Sequence, residues 1–155
     1  MQAKSKVELI DELITRYRTA TNRDVAFDKL AAASLGVSVT DLHCLNIVES
    51  RHGLTAGALA VESGLTTGAV TAVIDRLERA GFARRVRDEH DRRKVNVEVT
   101  DTFYARAADI WGPVAAEWQN ALADRFSMDE LTTIIAFLTQ VDELGERHAA
   151  RLAAR

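Results

Sequence analysis

Two short helical segments joined by a turn at Gly64 constrain the fold of this chain more than any other feature. Thr55 and Thr66 are of the residue type that caps helix N-termini, and each precedes a periodic apolar segment. Gly64 and Gly81 lie where a glycine ends a helix. Two helices joined so closely predict a helix-turn-helix motif. The apolar residues of the second helix share one face and are predicted to be core: Val70, Val73, Ile74 and Leu77.

A β-hairpin is predicted to follow the second helix. FARRVR (82–87) and VNVEVT (95–100) are rich in β-branched residues and alternate in polarity, as strands do. The hairpin concentrates positive charge in a chain whose net charge is −3. Such a distribution suits local contact with a polyanion better than broad electrostatic wrapping. The cations are Arg84, Arg85, Arg87, Arg92, Arg93 and Lys94, against Asp88, Glu89 and Asp91.

The outer face of the second helix has the character of a surface that contacts DNA. Gly68 and Ala72 are small, which lets the helix backbone approach the major groove closely. Threonine hydroxyls near the helix N-terminus offer hydrogen bonds to phosphates or base edges. Arg76 is predicted to reach a guanine edge or a phosphate, and Asp75 and Arg79 to form an i,i+4 ion pair. The predicted DNA-contacting residues of this helix are Thr66, Thr67, Gly68, Thr71, Ala72 and Arg76.

Helices are also predicted before this unit. Residues 7–20 place apolar side chains at helical spacing, and the helix continues towards a break near Gly36. Thr40 is predicted to cap a further helix over residues 41–50. The apolar side chains of the first helix are Leu9, Ile10, Leu13, Ile14 and Tyr17.

After Asp101 the chain returns to helix, which Pro113 is predicted to kink or divide. Ser127 and Glu130 match a capping box at the start of a last helix. A seam that alternates by four and three residues follows, and it predicts packing against another helix. Its members are Leu131, Ile134, Leu138, Val141, Gly145, His148 and Leu152.

Residues 54–100 resemble the winged helix-turn-helix core of MarR-type transcriptional regulators. The resemblance lies in the block GLTTGAVTAVIDRLERAGFARR, the D-R-R turn and a following strand that ends in threonine. It implies a mainly α fold with a small β-hairpin wing: a winged helix-turn-helix region at 39–100 and a helical dimerisation region at 1–38 and 101–155, intertwined as one domain. It further implies a homodimeric regulator, most often a repressor, that places its recognition helices in successive major grooves of a pseudo-palindromic operator.

The same resemblance assigns roles to the wing and to an effector. The family's D-x-R element falls on Asp91 and Arg93, with Arg92 between them. One arginine would enter the minor groove while Asp91 holds its guanidinium, and the D-x-R pattern favours Arg93. Family members commonly release DNA when they bind a small aromatic or anionic molecule. The candidate contacts to such an effector are Thr40, His43, Arg51 and Trp111.

Other functions stay open at the level of sequence. A winged helix can bind another protein through its recognition face. Cys44 suggests a thiol-based redox sensor, although its place between Leu42 and Leu45 predicts a buried, structural cysteine. Aromatic residues such as Tyr104 in the later helices are more typical of core than of a ligand cavity. His and Cys are too scattered for a zinc site, and no catalytic motif is present, so we expect no metal, cofactor or enzymatic activity.

The cellular setting is predicted from three features. No apolar run is long enough to span a bilayer, and the N-terminus has no apolar core of a signal peptide. The lone cysteine excludes an intrachain disulfide and favours a reducing compartment. We therefore expect a cytoplasmic protein with no membrane partner.

Overall fold

A computed structural model describes residues 4–51, 53–88, 91 and 94–154. Its elements confirm the predicted mainly α fold with a β-hairpin wing. In chain order they are α1 Lys6–Leu35, α2 Val39–Ser50, β1 Leu54–Thr55, α3 Ala56–Ser63, α4 Thr67–Arg79, β2 Ala83–Arg87, β3 Val95–Val99, α5 Asp101–Arg125 and α6 Met128–Ala153.

The sheet is antiparallel and has the strand order β1-β3-β2. The hairpin strands β2 and β3 pair from Ala83 opposite Val99 to Arg87 opposite Val95, and each agrees with its predicted range to within one residue. The strand β1 was not predicted from sequence. It contributes only Leu54, opposite Val97, and the residue after it. Because β1 immediately precedes α3, it anchors the start of the helix-turn-helix to the wing.

The predicted caps of α3 and α4 are confirmed. Thr55 Oγ1 accepts a hydrogen bond from the Ala58 amide, and Thr66 Oγ1 accepts one from the Ala69 amide, both at 3.2 Å. Gly64 ends α3 with a φ of 68°, in the left-handed region that glycine adopts without strain. These caps fix where the turn begins and ends, and they define the helix-turn-helix.

The predicted cap of α2 was wrong by two residues. Ser38, not Thr40, is the N-cap, and Thr40 lies exposed within the first turn. Ser38 Oγ accepts from the Asp41 amide at 3.1 Å, while the Asp41 carboxylate accepts from the Ser38 amide at 3.2 Å. This reciprocal capping box satisfies two amide donors at the helix start, which one threonine at position 40 could not do.

The buried core lies around the helix-turn-helix. The four apolar residues predicted on α4 are all buried and are joined by Leu42, Leu45 and Leu59 from α2 and α3. Phe103 of α5 is buried and packs edge-to-face on Phe82, with ring centroids 5.9 Å apart. This packing covers the inner side of α4 and leaves its other side exposed.

The single chain divides into two compact units, Met1–Ile110 and Trp111–Arg155. The first contains α1 to α4, the sheet and the start of α5. The second contains the rest of α5 and α6, and α5 continues through Pro113 without being divided. No single helix among the described residues has the length and apolarity needed to cross a bilayer.

Candidate nucleic-acid interface

The outward face of α4 presents the small and hydroxylated residues predicted from sequence. Thr66, Thr67, Gly68, Thr71 and Ala72 are all exposed. A Cβ added at Gly68 would meet no atom within 4 Å, so nothing in the described chain covers this face. The first turn also carries amides that have no intrahelical acceptor, next to the positive end of the helix dipole. This combination lets a flat, anionic partner approach the backbone closely.

The threonine hydroxyls on this face can each form a further hydrogen bond to DNA. Thr66 Oγ1 accepts from the backbone in its role as cap, so its proton is free to be donated to a phosphate oxygen. Thr71 Oγ1 donates to the Thr67 carbonyl at 2.9 Å, which leaves its lone pairs to accept from a base amino group. The two threonines therefore offer opposite hydrogen-bonding characters.

Arg76 is placed differently from the sequence-based expectation. Instead of reaching outward as a free arm, its guanidinium binds the Asp41 carboxylate of α2. Nη2 donates to Oδ1 at 2.6 Å, and Nε lies 3.2 Å from both carboxylate oxygens. Burial alone would raise the pKa of Asp41, but hydrogen bonds from Arg76 and Ser38 outweigh burial and lower the pKa below its usual value. Asp41 is therefore a buried, ionised partner for this arginine.

The predicted side-chain pair between Asp75 and Arg79 was wrong. Arg79 Nε donates to the Asp75 backbone carbonyl at 3.1 Å. The Asp75 carboxylate instead accepts from Arg85 Nη2 of β2 at 2.7 Å, and Arg85 also binds Glu78 through its side chain and its amide. These contacts tie the first strand of the wing to α4, which the i,i+4 spacing did not reveal.

Asp88 organises the base of the wing. Its two carboxylate oxygens accept from the Asp91 amide and from Asn96 Nδ2, both at 2.9 Å. Its amide donates to the Lys94 carbonyl at 3.1 Å, and the Lys94 amide donates to the Asp91 carbonyl at 2.8 Å. An aspartate at the end of a strand is typical of such a side-chain-to-backbone turn.

The wing arginines lie outside the described residues, so the predicted roles of Arg92, Arg93 and their neighbour Asp91 stay predictions. Two of the other predicted cations are engaged: Arg84 pairs with Glu98 at 3.0 Å, and Arg85 is held as above. Within the described part of the hairpin, Arg87 and Lys94 are exposed and form no ion pair.

The four candidate effector contacts do not all lie on one element, and their role stays a prediction. Thr40 and His43 are exposed on α2, Arg51 pairs with Glu62 at 3.5 Å, and Trp111 belongs to the second unit. A cavity of about 280 Å³ does lie in the first unit, but none of these four residues lines it. Its lining is Val48, Glu49, Gly53, Val97, Glu98, Val99 and Tyr104.

Cys44 has the properties of a structural cysteine, as predicted. It is fully buried in α2. Burial raises the pKa of its thiol, the Asp41 carboxylate raises that pKa further, and hydrogen bonding with Ser63 offsets this only in part. A peroxide-sensing cysteine needs the opposite, an accessible thiol with a lowered pKa. These properties argue against the redox-sensor alternative.

We expect native Cys44 to react with a thiol reagent such as Ellman's reagent at least about tenfold more slowly than the denatured protein does, because only the unfolded chain exposes a thiolate. Cys44→Ala should bind DNA as the wild type does, and peroxide should not release DNA from either protein. Fast labelling under native conditions, together with peroxide-induced release that Cys44→Ala lacks, would restore the redox-sensor hypothesis.

Comparison with known proteins places these observations in a family. Residues 37–95 match the model of the MarR family. The HTH-type transcriptional regulator YcgE of Bacillus subtilis (strain 168), itself described as uncharacterized, is 32% identical over 148 residues, which span 96% of each chain. Among solved structures, a MarR family protein from Bacillus stearothermophilus superposes with a TM-score of 0.68 at 20% identity, covering 92% of this chain and 99% of that one. Streptococcus pneumoniae FabT, solved in complex with DNA, gives 0.62 at 22% identity, with coverages of 88% and 97%.

Proposed function

The chain belongs to the MarR family of transcriptional regulators, and on that premise we propose that it is a homodimeric repressor that binds a pseudo-palindromic DNA operator through α4 and the wing. The observation that carries this proposal is the exposed face of α4. Its small residues, capping hydroxyl and unpaired first-turn amides suit a phosphate backbone and a major groove. Such a protein would work in the cytoplasm, where its DNA is, and a regulatory rather than enzymatic role follows from the family.

The positive charge of the hairpin supports DNA binding through α4 and the wing. Arg87 lies opposite Val95 at the end of the hairpin, next to Lys94, and both cations are exposed and form no ion pair with the described residues. Both belong to the hairpin that Arg85 ties to α4, so the cations and the recognition face form one connected unit. Arg92 and Arg93, predicted from the family's wing element, would extend this positive surface into the minor groove.

A homodimer is supported by apolar surface that the single chain leaves exposed. On α1, five apolar or aromatic side chains at helical spacing are each between 37% and 52% exposed. On α6 no described residue is buried, and Leu138 and Leu152 of the predicted seam are 47% and 68% exposed. Helical apolar faces of this extent are typical of interfaces. The predicted division, with residues 1–38 and 101–155 forming the dimerisation region, therefore stands as part of this proposal.

Relief of repression by a small molecule requires a cavity that can hold such a ligand. The cavity at the end of α2 has the size for a small ligand, and its lining combines Tyr104 and three valines with polar groups. Glu98 is already paired with Arg84, so the Glu49 carboxylate is the charge that favours a neutral or cationic compound over an anion. A thermal-shift screen should therefore include aromatic amines beside aromatic acids.

The proposed function is tested by fluorescence anisotropy with labelled duplexes from the region next to the protein's own gene. We expect saturable binding at low salt, competition by the unlabelled fragment but not by a scrambled one, and a steep fall in affinity with salt. Absence of binding at low salt would contradict a DNA-binding function and favour a winged helix that binds another protein.

Neutralising Arg87 is expected to reduce DNA affinity through a lost phosphate contact. In Arg87→Gln the slope of log K against log salt should become shallower by about 0.9, because one fewer counterion is released. Arg84→Gln is the matched control, since Arg84 lies in the same strand but is already neutralised by Glu98. Equal slopes for Arg87→Gln and the wild type would remove Arg87 from the interface.

A further inference from the structure

Among the described residues, the ion pair between Asp41 and Arg76 is the only hydrogen-bonded or ionic contact between α2 and α4. It joins residues that are 35 positions apart in the chain. The Asp41 residue is 3% exposed, whereas the Arg76 side chain is 44% exposed. The carboxylate receives the arginine through two different nitrogens, and it also accepts from the Ser38 amide. Its acceptor positions are thus used within the protein.

Apart from this pair and the contacts of Arg85 with Asp75 and Glu78, the packing of α4 is apolar. Val70, Val73, Ile74 and Leu77 are buried along its inner side. Apolar packing is non-directional, so a small rotation or slide of α4 would cost little of the area it buries. A guanidinium that meets a carboxylate through a fork has a narrow range of acceptable geometries. The Asp41–Arg76 pair therefore fixes the rotation and the axial position of α4 relative to α2.

We propose that Asp41 and Arg76 are positioning residues for DNA recognition, which hold the exposed face of α4 in the orientation that reads the operator although neither side chain contacts DNA. This inference rests on the proposed function and deepens it. Ala72 lies one turn before Arg76 on the same side of α4. The orientation in which Ala72 faces the DNA therefore depends directly on where the pair holds Arg76.

The pair also connects the recognition helix to the start of the dimerisation region. Asp41 belongs to the capping box that begins α2, and Gly36 ends α1 only two residues before the Ser38 cap. In the proposed dimer, the spacing of the two α4 helices depends on α1 of each chain. The Asp41–Arg76 pair is then the polar contact that couples the position of α4 to the position of α1.

The alternative role for Arg76, direct contact with a base or phosphate, makes the opposite prediction for Asp41→Asn. If Arg76 contacts DNA, loss of the competing carboxylate frees the guanidinium, and affinity stays equal or rises. If the pair positions α4, the same substitution weakens operator binding. Asparagine keeps the size of the side chain, and its Oδ1 can still accept from the Ser38 amide, which makes it a conservative test.

The experiment compares the wild type, Asp41→Asn, Arg76→Lys and Arg76→Gln on an operator that the wild type selects from random duplexes. Each protein is titrated at several salt concentrations against the operator and a scrambled duplex. Phe103→Leu controls for general destabilisation, because Phe103 is buried in α5 and its ring contacts are with Phe82 and Tyr104 rather than with either member of the pair. All titrations are run well below the melting temperature of the least stable variant.

We expect Asp41→Asn and both Arg76 variants to lose operator affinity and at least about tenfold of the discrimination between operator and scrambled duplex. Their salt slopes should match the wild type, because no phosphate contact is lost. Arg76→Lys should be as impaired as Arg76→Gln, since lysine keeps the charge but not the fork. Phe103→Leu should lower the melting temperature without changing discrimination.

Wild-type discrimination by Asp41→Asn, or a slope shallower by about 0.9 in Arg76→Gln that Arg76→Lys restores, would overturn the positioning role and assign Arg76 to the interface. Failure of the wild type to select any duplex would instead contradict the proposed function itself. The two failures are therefore distinguishable.

Discussion

Replacing Ala72 by glutamate is expected to weaken DNA binding by at least about a hundredfold while the protein stays folded. Ala72 is exposed on α4, so the substitution removes no core contact. In the proposed complex the new carboxylate would be forced against the groove, where it is desolvated near phosphates, while the nearest cation, Arg76 one turn later, is already held by Asp41. An uncompensated charge in such a place costs about 3–5 kcal/mol, which corresponds to a hundredfold or more in affinity. Anisotropy titrations measure the loss, and circular dichroism with thermal melting measures the fold.

The matched control is Ala105→Glu. Ala105 is likewise an exposed alanine within a helix, but it lies on α5 rather than on the recognition face. Both variants add the same charge to the protein, so any effect of net charge on DNA affinity appears equally in both. We expect Ala105→Glu to remain dimeric by light scattering and to bind within about threefold of the wild type, since charges outside the recognition face are largely screened. Equal affinities for the two variants would show that α4 does not face DNA.

The parts of the fold that sequence predicted are those that depend on neighbouring residues. The caps at Thr55 and Thr66 follow from one side chain and an amide three residues later. The hairpin strands follow from alternation over five residues each, which Val95–Val99 shows well. Local signals of this kind contain most of the physics that places the element, so the sequence sufficed for them.

For the cap of α2, the sequence contained the correct local pattern, but the prediction chose the wrong residue. Ser38 and Thr40 are both capping residue types in the run SVTD. The residue three positions later distinguishes them. Ser38 is followed at that position by Asp41, which completes a reciprocal capping box, whereas Thr40 is followed by His43. The sequence held this information, because a capping box is a pattern of two positions rather than one.

The tethers of α4 could not be predicted from sequence. Arg76 finds Asp41 35 residues earlier, and Arg85 finds Asp75 ten residues earlier across a change from helix to strand. Only the tertiary fold brings these partners together, and local spacing offered Asp75 the wrong partner in Arg79. The strand β1 was not predicted for a related reason: its two residues, Leu54 and Thr55, are too few to show an alternating pattern. Pairing with β3 alone makes them a strand.

Leu13→Glu is expected to convert the proposed dimer to a monomer and to reduce operator affinity by about a hundredfold or more. Leu13 is 45% exposed in the exposed apolar face of α1. In the dimer a glutamate there would be buried without a partner, whereas in the monomer it would be solvated. Loss of the dimer converts one bivalent binding event into two separate ones, and the effective concentration that is lost is worth about 10²–10⁴ in affinity. Light scattering coupled to size exclusion measures the mass, and anisotropy measures the affinity.

Thr19→Glu tests whether the effect comes from the apolar face rather than from α1 as a whole. Thr19 is exposed on the opposite side of the same helix, so its substitution adds the same charge and leaves the apolar side chains intact. We expect this variant to remain dimeric and to bind DNA as the wild type does. A dimeric Leu13→Glu protein with wild-type affinity would exclude this face of α1 from the interface. Loss of affinity without loss of the dimer would instead place Leu13 near the DNA, which would contradict the assignment of α1 to dimerisation.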